Sequence, residues 1–134
     1  MNNYGLNPDI RTRDEIIFGN YDPSAYLGGT CRFNDMDYNT LNTLVSMGFA
    51  SEDERQNFAP SIGEMLEFAS SDPEAYYFDG YAVSANRSDY RVSIDAIHRD
   101  APFADQYEMD AFIDFCSEAD ERDWSMDGGY AWWD

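Results

Sequence analysis

The sequence has no lysine, one histidine and two cysteines. Without lysine it has no phosphate-loop lysine, no Schiff-base amine and no lysine general base. A single histidine, His98, excludes a three-histidine zinc site, and it has no apparent partner nearby in the sequence. Cys31 and Cys116 lie far apart, so we expect two reduced thiols rather than a disulfide framework. The motifs G-x-S-x-G and G-x-G-x-x-G are also missing, and we expect neither an enzyme nor a cofactor.

Long apolar runs are missing as well. No stretch approaches the roughly 20 apolar residues needed to span a bilayer, so we expect no membrane contact. The N-terminal sequence M-N-N-Y-G-L-N-P-D-I lacks the basic stretch and apolar core of a secretory signal, so we expect a cytoplasmic protein. A length of 134 residues suits one domain, and a hydrophobic share of 43% is enough to build a core.

Negative charge is present in large excess. The chain has 27 acidic residues against eight basic ones, all of them arginine, and its formal net charge is −19. Self-repulsion at this density destabilises a compact state. Direct binding of nucleic acid or of an anionic membrane through a basic face is excluded. The expected partners are cations or proteins with a basic surface.

The hydrophobic pattern predicts a single α+β domain with about four helices and a small antiparallel sheet. Residues 1–14 are predicted to form a flexible arm, and residues 15–134 the folded domain. We predict a short strand over residues 14–18. A hairpin is predicted over residues 76–97, where two strands flank the turn sequence A-N-R-S-D. The hairpin has one polar face, which is expected to be solvated.

Helix signals occur in four segments. Asp37 is expected to cap a helix that ends before Gly48. A serine followed three residues later by glutamate predicts a capping box at Ser51–Glu54 and another at Ser61–Glu64. The fourth helix is predicted over residues 105–121, and its expected buried stripe consists of Met109, Phe112, Ile113 and Cys116.

The sequence D-W-S-M-D-G-G-Y-A-W-W-D, residues 123–134, resembles the calcium loop of the EF-hand family. Asp123, Ser125 and Asp127 match its first, third and fifth positions, and Asp134 matches the twelfth. The sequence departs from the family at Asp134, where a bidentate glutamate is usual. The resemblance implies a candidate calcium loop at these residues. The alternative is a solvated acidic segment without a metal, and this is the alternative that we favour.

The tripeptide M-G-F at Met47–Phe49 follows one predicted helix and precedes two others. It resembles the loop of the ubiquitin-associated domain, a three-helix bundle in which such a loop contacts ubiquitin. The resemblance implies an interaction module. The alternative, which we favour, is that Gly48 ends the helix and Phe49 makes the hydrophobic contact that accompanies such an end.

Acidic side chains recur along the fourth predicted helix. Asp110, Asp114 and Glu118 are four residues apart, with Glu121 beside them, and a helix would place these carboxylates about 6 Å apart along one face. Like charges at this spacing repel, so folding does not require the arrangement. Burial in the core is the alternative role of at least one tryptophan in this region. The predicted partner-binding residues are Asp110, Asp114, Glu118, Asp120, Glu121, Asp123, Asp127, Trp132 and Trp133.

In size, acidity and lack of lysine the chain resembles the DNA-mimic inhibitors of phages and mobile elements, the antirestriction and anti-CRISPR proteins. No motif supports this resemblance. It implies a non-enzymatic inhibitor whose carboxylates replace DNA phosphates on a basic surface of a DNA-binding protein or nuclease. Two alternatives stay open. One is an interaction module of the calcium-binding or ubiquitin-associated type, and the other is a protein adapted to high salt, of unknown activity, which includes an unrecognised enzyme.

Overall fold

An antiparallel sheet with helices packed on one face forms the framework of the protein. The computed structural model describes residues 5–134, and over this range the sheet has five strands in the order β1-β2-β3-β5-β4. In chain order the elements are α1 (Ile10–Phe18), a 3-10 turn (Pro23–Ala25), β1 (Thr30–Asp37), α2 (Tyr38–Ser46), α3 (Ile62–Ala69), β2 (Tyr76–Val83), β3 (Val92–Arg99), α4 (Gln106–Phe115), β4 (Glu121–Ser125) and β5 (Gly128–Trp132). The predicted α+β fold is confirmed, although the sheet is larger than one hairpin. None of the helices in the described range has the length and apolar character of a membrane span.

The strand register separates the side chains into two faces. Phe78, Ile97 and Ala131 face the helices and join one buried hydrophobic cluster with side chains of α2, α3 and α4. The opposite face, here called the polar face, contains two rows of side chains that lie side by side across the strands. These rows are Asp37, Tyr77, His98, Tyr130 and Asp123, and Asp79, Ala96, Trp132 and Glu121.

Helix α2 begins and ends as the sequence predicts. The Asp37 side chain caps its N-terminus. At the other end Gly48 has a left-handed φ of 80°. The backbone N–H groups of Gly48 and Phe49 donate to the carbonyls of Val45 and Leu44, which is the Schellman pattern of a helix end. Because Phe49 is fully buried, the M-G-F loop is a helix cap, and the expected contact surface of a ubiquitin-associated domain is not formed.

One of the two predicted capping boxes is present. Ser61 and Glu64 exchange both hydrogen bonds at the start of α3. The helix predicted after Ser51 is wrong, because residues 51–60 form turns. The Glu54 carboxylate points inward instead, where it accepts a hydrogen bond from the Ser93 hydroxyl at 3.0 Å. The glutamate that would have closed the first box is therefore used to anchor this segment to β3.

Helix α1 replaces the strand predicted over residues 14–18. It also includes the last five residues of the predicted arm, residues 10–14, whereas residues 1–4 of the arm lie outside the described residues. The inward side of α1 includes an ion pair between Arg13 and Asp14, and both residues are buried. Since periodicity of apolar residues is the main sequence signal of a helix, a helix that buries charged residues is difficult to predict.

Helix α4 ends at Phe115, earlier than the predicted residue 121. The chain then turns and forms β4, which pairs with the last strand, β5. Phe112 and Cys116 are buried as expected, and the other two members of the predicted stripe are half-buried. Gly128 and Gly129 open β5, and the turn between the two strands consists of the two residues before them.

Candidate functional site

The predicted acidic site is divided between two sides of the molecule. Asp110 and Asp114 lie two residues before and after Phe112, which packs towards the sheet. Residues two apart on a helix point about 200° apart, so both carboxylates face away from the sheet. Glu121 and Asp123 lie on β4, on the polar face. The single helical stripe from Asp110 to Glu121 is therefore wrong, because α4 ends before the stripe does.

The remaining predicted carboxylates connect these two groups along the chain. Glu118 and Asp120 lie in the turn between α4 and β4, and Asp127 lies in the turn between β4 and β5. The Asp120 carboxylate accepts a hydrogen bond from the backbone N–H of Asp134 at 2.7 Å. All seven predicted carboxylates are exposed, namely Asp110, Asp114, Glu118, Asp120, Glu121, Asp123 and Asp127.

The tryptophans have three different environments. Trp133 is only 1% exposed and belongs to the core, so its predicted role in partner binding is wrong. Trp132 is half-buried on the polar face. Trp124, which is not among the predicted partner-binding residues, is 39% exposed on β4. The Arg122 guanidinium carbon lies 5.6 Å from the centre of its ring. The exposed tryptophan on β4 is therefore Trp124, and strand alternation places it on the opposite face from Glu121 and Asp123.

The resemblance to a calcium loop is not supported by the structure. Asp123 and Ser125 lie on β4, and Asp127 follows in the turn. Asp134 lies beyond the other end of β5, which is about 20 Å from the turn at the rise of an extended strand. Four ligands spread along a hairpin do not surround one ion, so these residues form no calcium loop.

The seven exposed carboxylates from Asp110 to Asp127 form no ion pairs among residues 5–134. By contrast, six of the eight arginines pair with acids elsewhere. These pairs are Arg13–Asp14, Arg32–Asp95, Arg55–Glu64, Arg87–Asp89, Arg91 with Glu54 and Asp89, and Arg99 with Asp72 and Glu108. The positive charge of the chain is thus largely used in the fold, and the C-terminal acids remain uncompensated.

A second cluster of charged side chains surrounds His98 on the polar face. His98 Nε2 lies 3.0 Å from Asp35 Oδ1 and 3.6 Å from Asp79 Oδ1. On the other side of the ring, Nδ1 lies 2.7 Å from Asp100 Oδ1. Three carboxylates therefore surround one imidazole. The expectation that His98 has no partner nearby in sequence is wrong, because Asp100 is two residues away.

The local backbone explains how the cluster is assembled. Asp35 lies at an irregularity in the pairing of β1 with β2 and has a left-handed φ of 58°. Its backbone N–H donates to Asp79 Oδ1 at 2.8 Å, which fixes the Asp79 carboxylate. The β2–β3 register places Tyr77 beside His98, and their rings stack with centroids 5.6 Å apart. Backbone geometry and packing thus hold the ring and both carboxylates in place.

The carboxylates change the proton affinity of the imidazole. Asp79 and Asp100 raise the pKa of His98 to about 9, against the opposing effect of burial. Burial acts to raise the pKa of Asp79, but hydrogen bonds from His98 and from the Asp35 backbone outweigh it, and the pKa is lowered. At neutral pH, in the absence of another cation, His98 is therefore an imidazolium bound by carboxylates.

Part of this second cluster could be predicted from the sequence. The hairpin over residues 76–97 was predicted. Pairing its two strands places Asp79 opposite Ala96, two residues before His98. The position of Asp35 could not be predicted, because Asp35 lies on a strand more than 60 residues earlier, at an irregularity in the strand pairing. Comparison of the chain with protein-family models, curated proteins and solved structures gave no significant match.

Proposed function

We propose that this chain is a small acidic binding protein that occupies a basic surface of a partner protein. In this function its carboxylates take the place of DNA phosphates and inhibit a nuclease of a restriction or CRISPR system. The observation that supports the proposal is the set of seven exposed carboxylates between Asp110 and Asp127, which have no ion pair within the described protein. A cationic partner would supply the charges that the fold does not.

The spacing of the carboxylates supports mimicry of a phosphate backbone. Asp110 and Asp114 are one helical turn apart, a rise of about 6 Å. Glu121 and Asp123 are two residues apart on a strand, a rise of about 6.6 Å. Phosphates of one DNA strand follow each other every ~3.4 Å along the axis, so both spacings approximate every second phosphate. A basic groove that binds DNA would therefore encounter a similar density of negative charge.

Exposed aromatic side chains on α4 and β4, the two elements that also include Asp110, Asp114, Glu121 and Asp123, favour a protein partner over a diffuse cloud of counterions. Trp124 on β4 is 39% exposed, and Tyr107 on α4 is 83% exposed. Aromatic residues are enriched among the side chains that contribute most to the stability of protein interfaces. Binding in this way needs neither a cofactor nor a reaction. The target enzymes act in the cytoplasm, where we also place this chain.

The proposal is tested by charge reversal on each side of the molecule. The helix variant combines Asp110→Lys and Asp114→Lys on α4 with Glu118→Lys in the turn that follows it. The strand variant combines Glu121→Lys and Asp123→Lys on β4. Cleavage of plasmid DNA by a panel of purified restriction and CRISPR nucleases is measured with increasing amounts of each protein. We expect the native chain to inhibit at least one nuclease, and excess DNA to relieve the inhibition.

A matched control separates a local site from overall charge. The variant Asp53→Lys, Glu67→Lys and Glu74→Lys changes the net charge as much as the helix variant does, at three exposed acids elsewhere. We expect at least one test variant to lose tenfold or more in inhibition and the control to lose little. Equal losses in all variants would contradict the assigned site. Failure of the native chain to inhibit any nuclease would argue against the function.

A further inference from the structure

The His98 cluster has the donor atoms of a metal site. His98 Nε2 and one carboxylate oxygen each from Asp35 and Asp79 all lie within 4.8 Å of one another. In a tetrahedral site with bonds of about 2.0–2.2 Å, neighbouring donor atoms are about 3.3–3.6 Å apart. The distances from Nε2 to the two oxygens, 3.0 and 3.6 Å, bracket this range. Small side-chain movements would bring the three donors around one ion.

The far side of the ring has the partner that metal-binding histidines commonly have. A histidine ligand usually donates its other N–H to a carboxylate or a carbonyl, which fixes the ring orientation and increases its basicity. In this protein Asp100 Oδ1 accepts at Nδ1 at 2.7 Å. Nε2 is therefore the nitrogen that faces Asp35 and Asp79. The Asp79 oxygen that faces it is itself oriented by the Asp35 backbone N–H.

The cluster brings negative charge to both sides of one imidazole. Asp35 and Asp79 lie on the Nε2 side of the His98 ring, and Asp100 lies on the Nδ1 side. Arg32 forms its ion pair with Asp95, through both ends of its guanidinium at 2.8 and 3.0 Å, and not with a carboxylate of the cluster. Carboxylates beside a histidine nitrogen are donors for a divalent cation, which binds the neutral imidazole.

We propose that His98 Nε2, Asp35 and Asp79 form a binding site for a divalent first-row transition-metal ion, with Zn²⁺ as the probe ion. An imidazole among the ligands favours Zn²⁺ over Ca²⁺ and Mg²⁺, which bind through oxygen. Three protein ligands leave the fourth position of a tetrahedral ion for water. Solvent reaches the site on the side of Asp35, whose side chain is 74% exposed. None of the three ligands belongs to the acidic surface proposed for partner binding, although Glu121 and Asp123 lie on the same face of the sheet.

Isothermal titration with ZnCl₂ tests the proposal on the full chain, after treatment with a chelator and removal of any polyhistidine tag. We expect saturable binding of one equivalent of Zn²⁺ and a rise in the melting temperature with Zn²⁺ concentration, since a ligand of the folded state stabilises it. His98→Gln, Asp79→Asn and Asp35→Asn should each weaken binding at least about tenfold, and Asp100→Asn should weaken it by a similar factor through the ring.

The matched control is Asp123→Asn, which removes one exposed carboxylate from the same cross-strand row as His98. We expect its Zn²⁺ affinity to stay within about twofold of the native value. Ca²⁺ should give no binding that depends on His98. The proposal is overturned if Zn²⁺ binding is not saturable, or if Asp123→Asn weakens it as much as Asp35→Asn does. The Zn²⁺ affinity of Asp35→Asn tests the proposal even if other variants misfold, because the Asp35 side chain is mostly exposed and its replacement should leave the fold intact.

Discussion

Arg13 and Asp14, adjacent in the sequence, form an ion pair that is closed off from solvent. Arg13 Nε lies 2.9 Å from Asp14 Oδ1, and the two side chains are 0% and 1% exposed. The Tyr26 hydroxyl joins them, because it accepts from Arg13 at 2.7 Å and donates to Asp14 at 2.6 Å. Arg13 also donates to the Val83 carbonyl at 2.9 Å, which ties α1 to the end of β2.

Arg13→Met is expected to lower the free energy of unfolding by about 3–5 kcal/mol, because it leaves the Asp14 carboxylate buried without its counter-charge. Urea unfolding followed by circular dichroism measures the change. Arg11→Met serves as the control. Arg11 is exposed and lies 5.0 Å over the ring of Tyr21, so its loss should change stability by less than about 1 kcal/mol. Similar losses in both variants would contradict a buried ion pair.

Replacement of both charges gives a second measure of the same network. Arg13→Met combined with Asp14→Leu removes the unpaired carboxylate, and well-packed apolar residues often replace a buried pair with little loss. We expect the double variant to be more stable than Arg13→Met alone. A double variant that is less stable than the single one would show that the hydrogen bond from the Tyr26 hydroxyl to Asp14 stabilises the fold by more than the unpaired carboxylate costs.

The same ion pair shows why the sequence predicts some elements and not others. Helices α2 and α3 were predicted because their caps and apolar positions agree, as in the capping box of Ser61 and Glu64. Helix α1 has no such agreement, since its inward side includes charged residues. The box at Ser51 and Glu54 failed because Glu54 has a tertiary partner, and a local pattern does not reveal such a competitor.

The candidate sites also depend on tertiary structure that local sequence patterns do not reveal. The acids from Asp110 to Asp127 were predicted from composition and are exposed, but their grouping depended on a helix continuing past Phe115. Residues 116–120 form a turn in place of the last predicted helical turn, and β4 then places Glu121 and Asp123 on the polar face. The His98 cluster depends on the register of three strands and on an irregularity near Asp35, and neither follows from local patterns.

The packing of α4 on the sheet depends on a glycine. A Cβ added at Gly129 would lie 2.6 Å from Cε2 of the Phe112 ring. Gly129→Ala is therefore expected to lower the free energy of unfolding by about 1–3 kcal/mol through overpacking. Phe112→Leu in the same background shortens the side chain that clashes. We expect the two changes together to cost less than the sum of their separate effects, measured in a double-mutant cycle. Simple additivity would contradict the contact.

Salt is expected to stabilise the protein without being required for folding. A net charge of −19 causes self-repulsion, which is screened as the Debye length falls from about 30 Å at 0.01 M to about 8 Å at 0.15 M ionic strength. The melting temperature should therefore rise over this range of NaCl. A variant with Asp110→Asn, Asp114→Asn and Glu118→Gln should have a higher melting temperature at low salt, and its melting temperature should rise less with NaCl. Unfolding of the native chain below molar salt would instead support adaptation to high salt.

The two cysteines are expected to differ in reactivity. Burial raises the pKa of the Cys116 thiol to about 12, and Cys116 is 1% exposed. Burial also raises the pKa of Cys31, followed in effect by Asp14 and Asp22, but Cys31 is partly exposed. Since the thiolate is the reactive form, a disulfide reagent at pH 8 should label Cys31 in the folded protein and Cys116 only after unfolding.

The variant Cys31→Ser isolates the buried thiol. Its folded form should react at least about tenfold more slowly than the same protein in denaturant. The raised pKa also has a consequence for stability. Unfolding lets Cys116 ionise near its ordinary pKa of 9, so the thiol favours the unfolded state increasingly as pH rises from about 9 to about 12. Cys116→Ala should therefore lose less stability over this range than the native chain does. Equal slopes, or rapid labelling of the folded Cys31→Ser variant, would show that Cys116 is accessible.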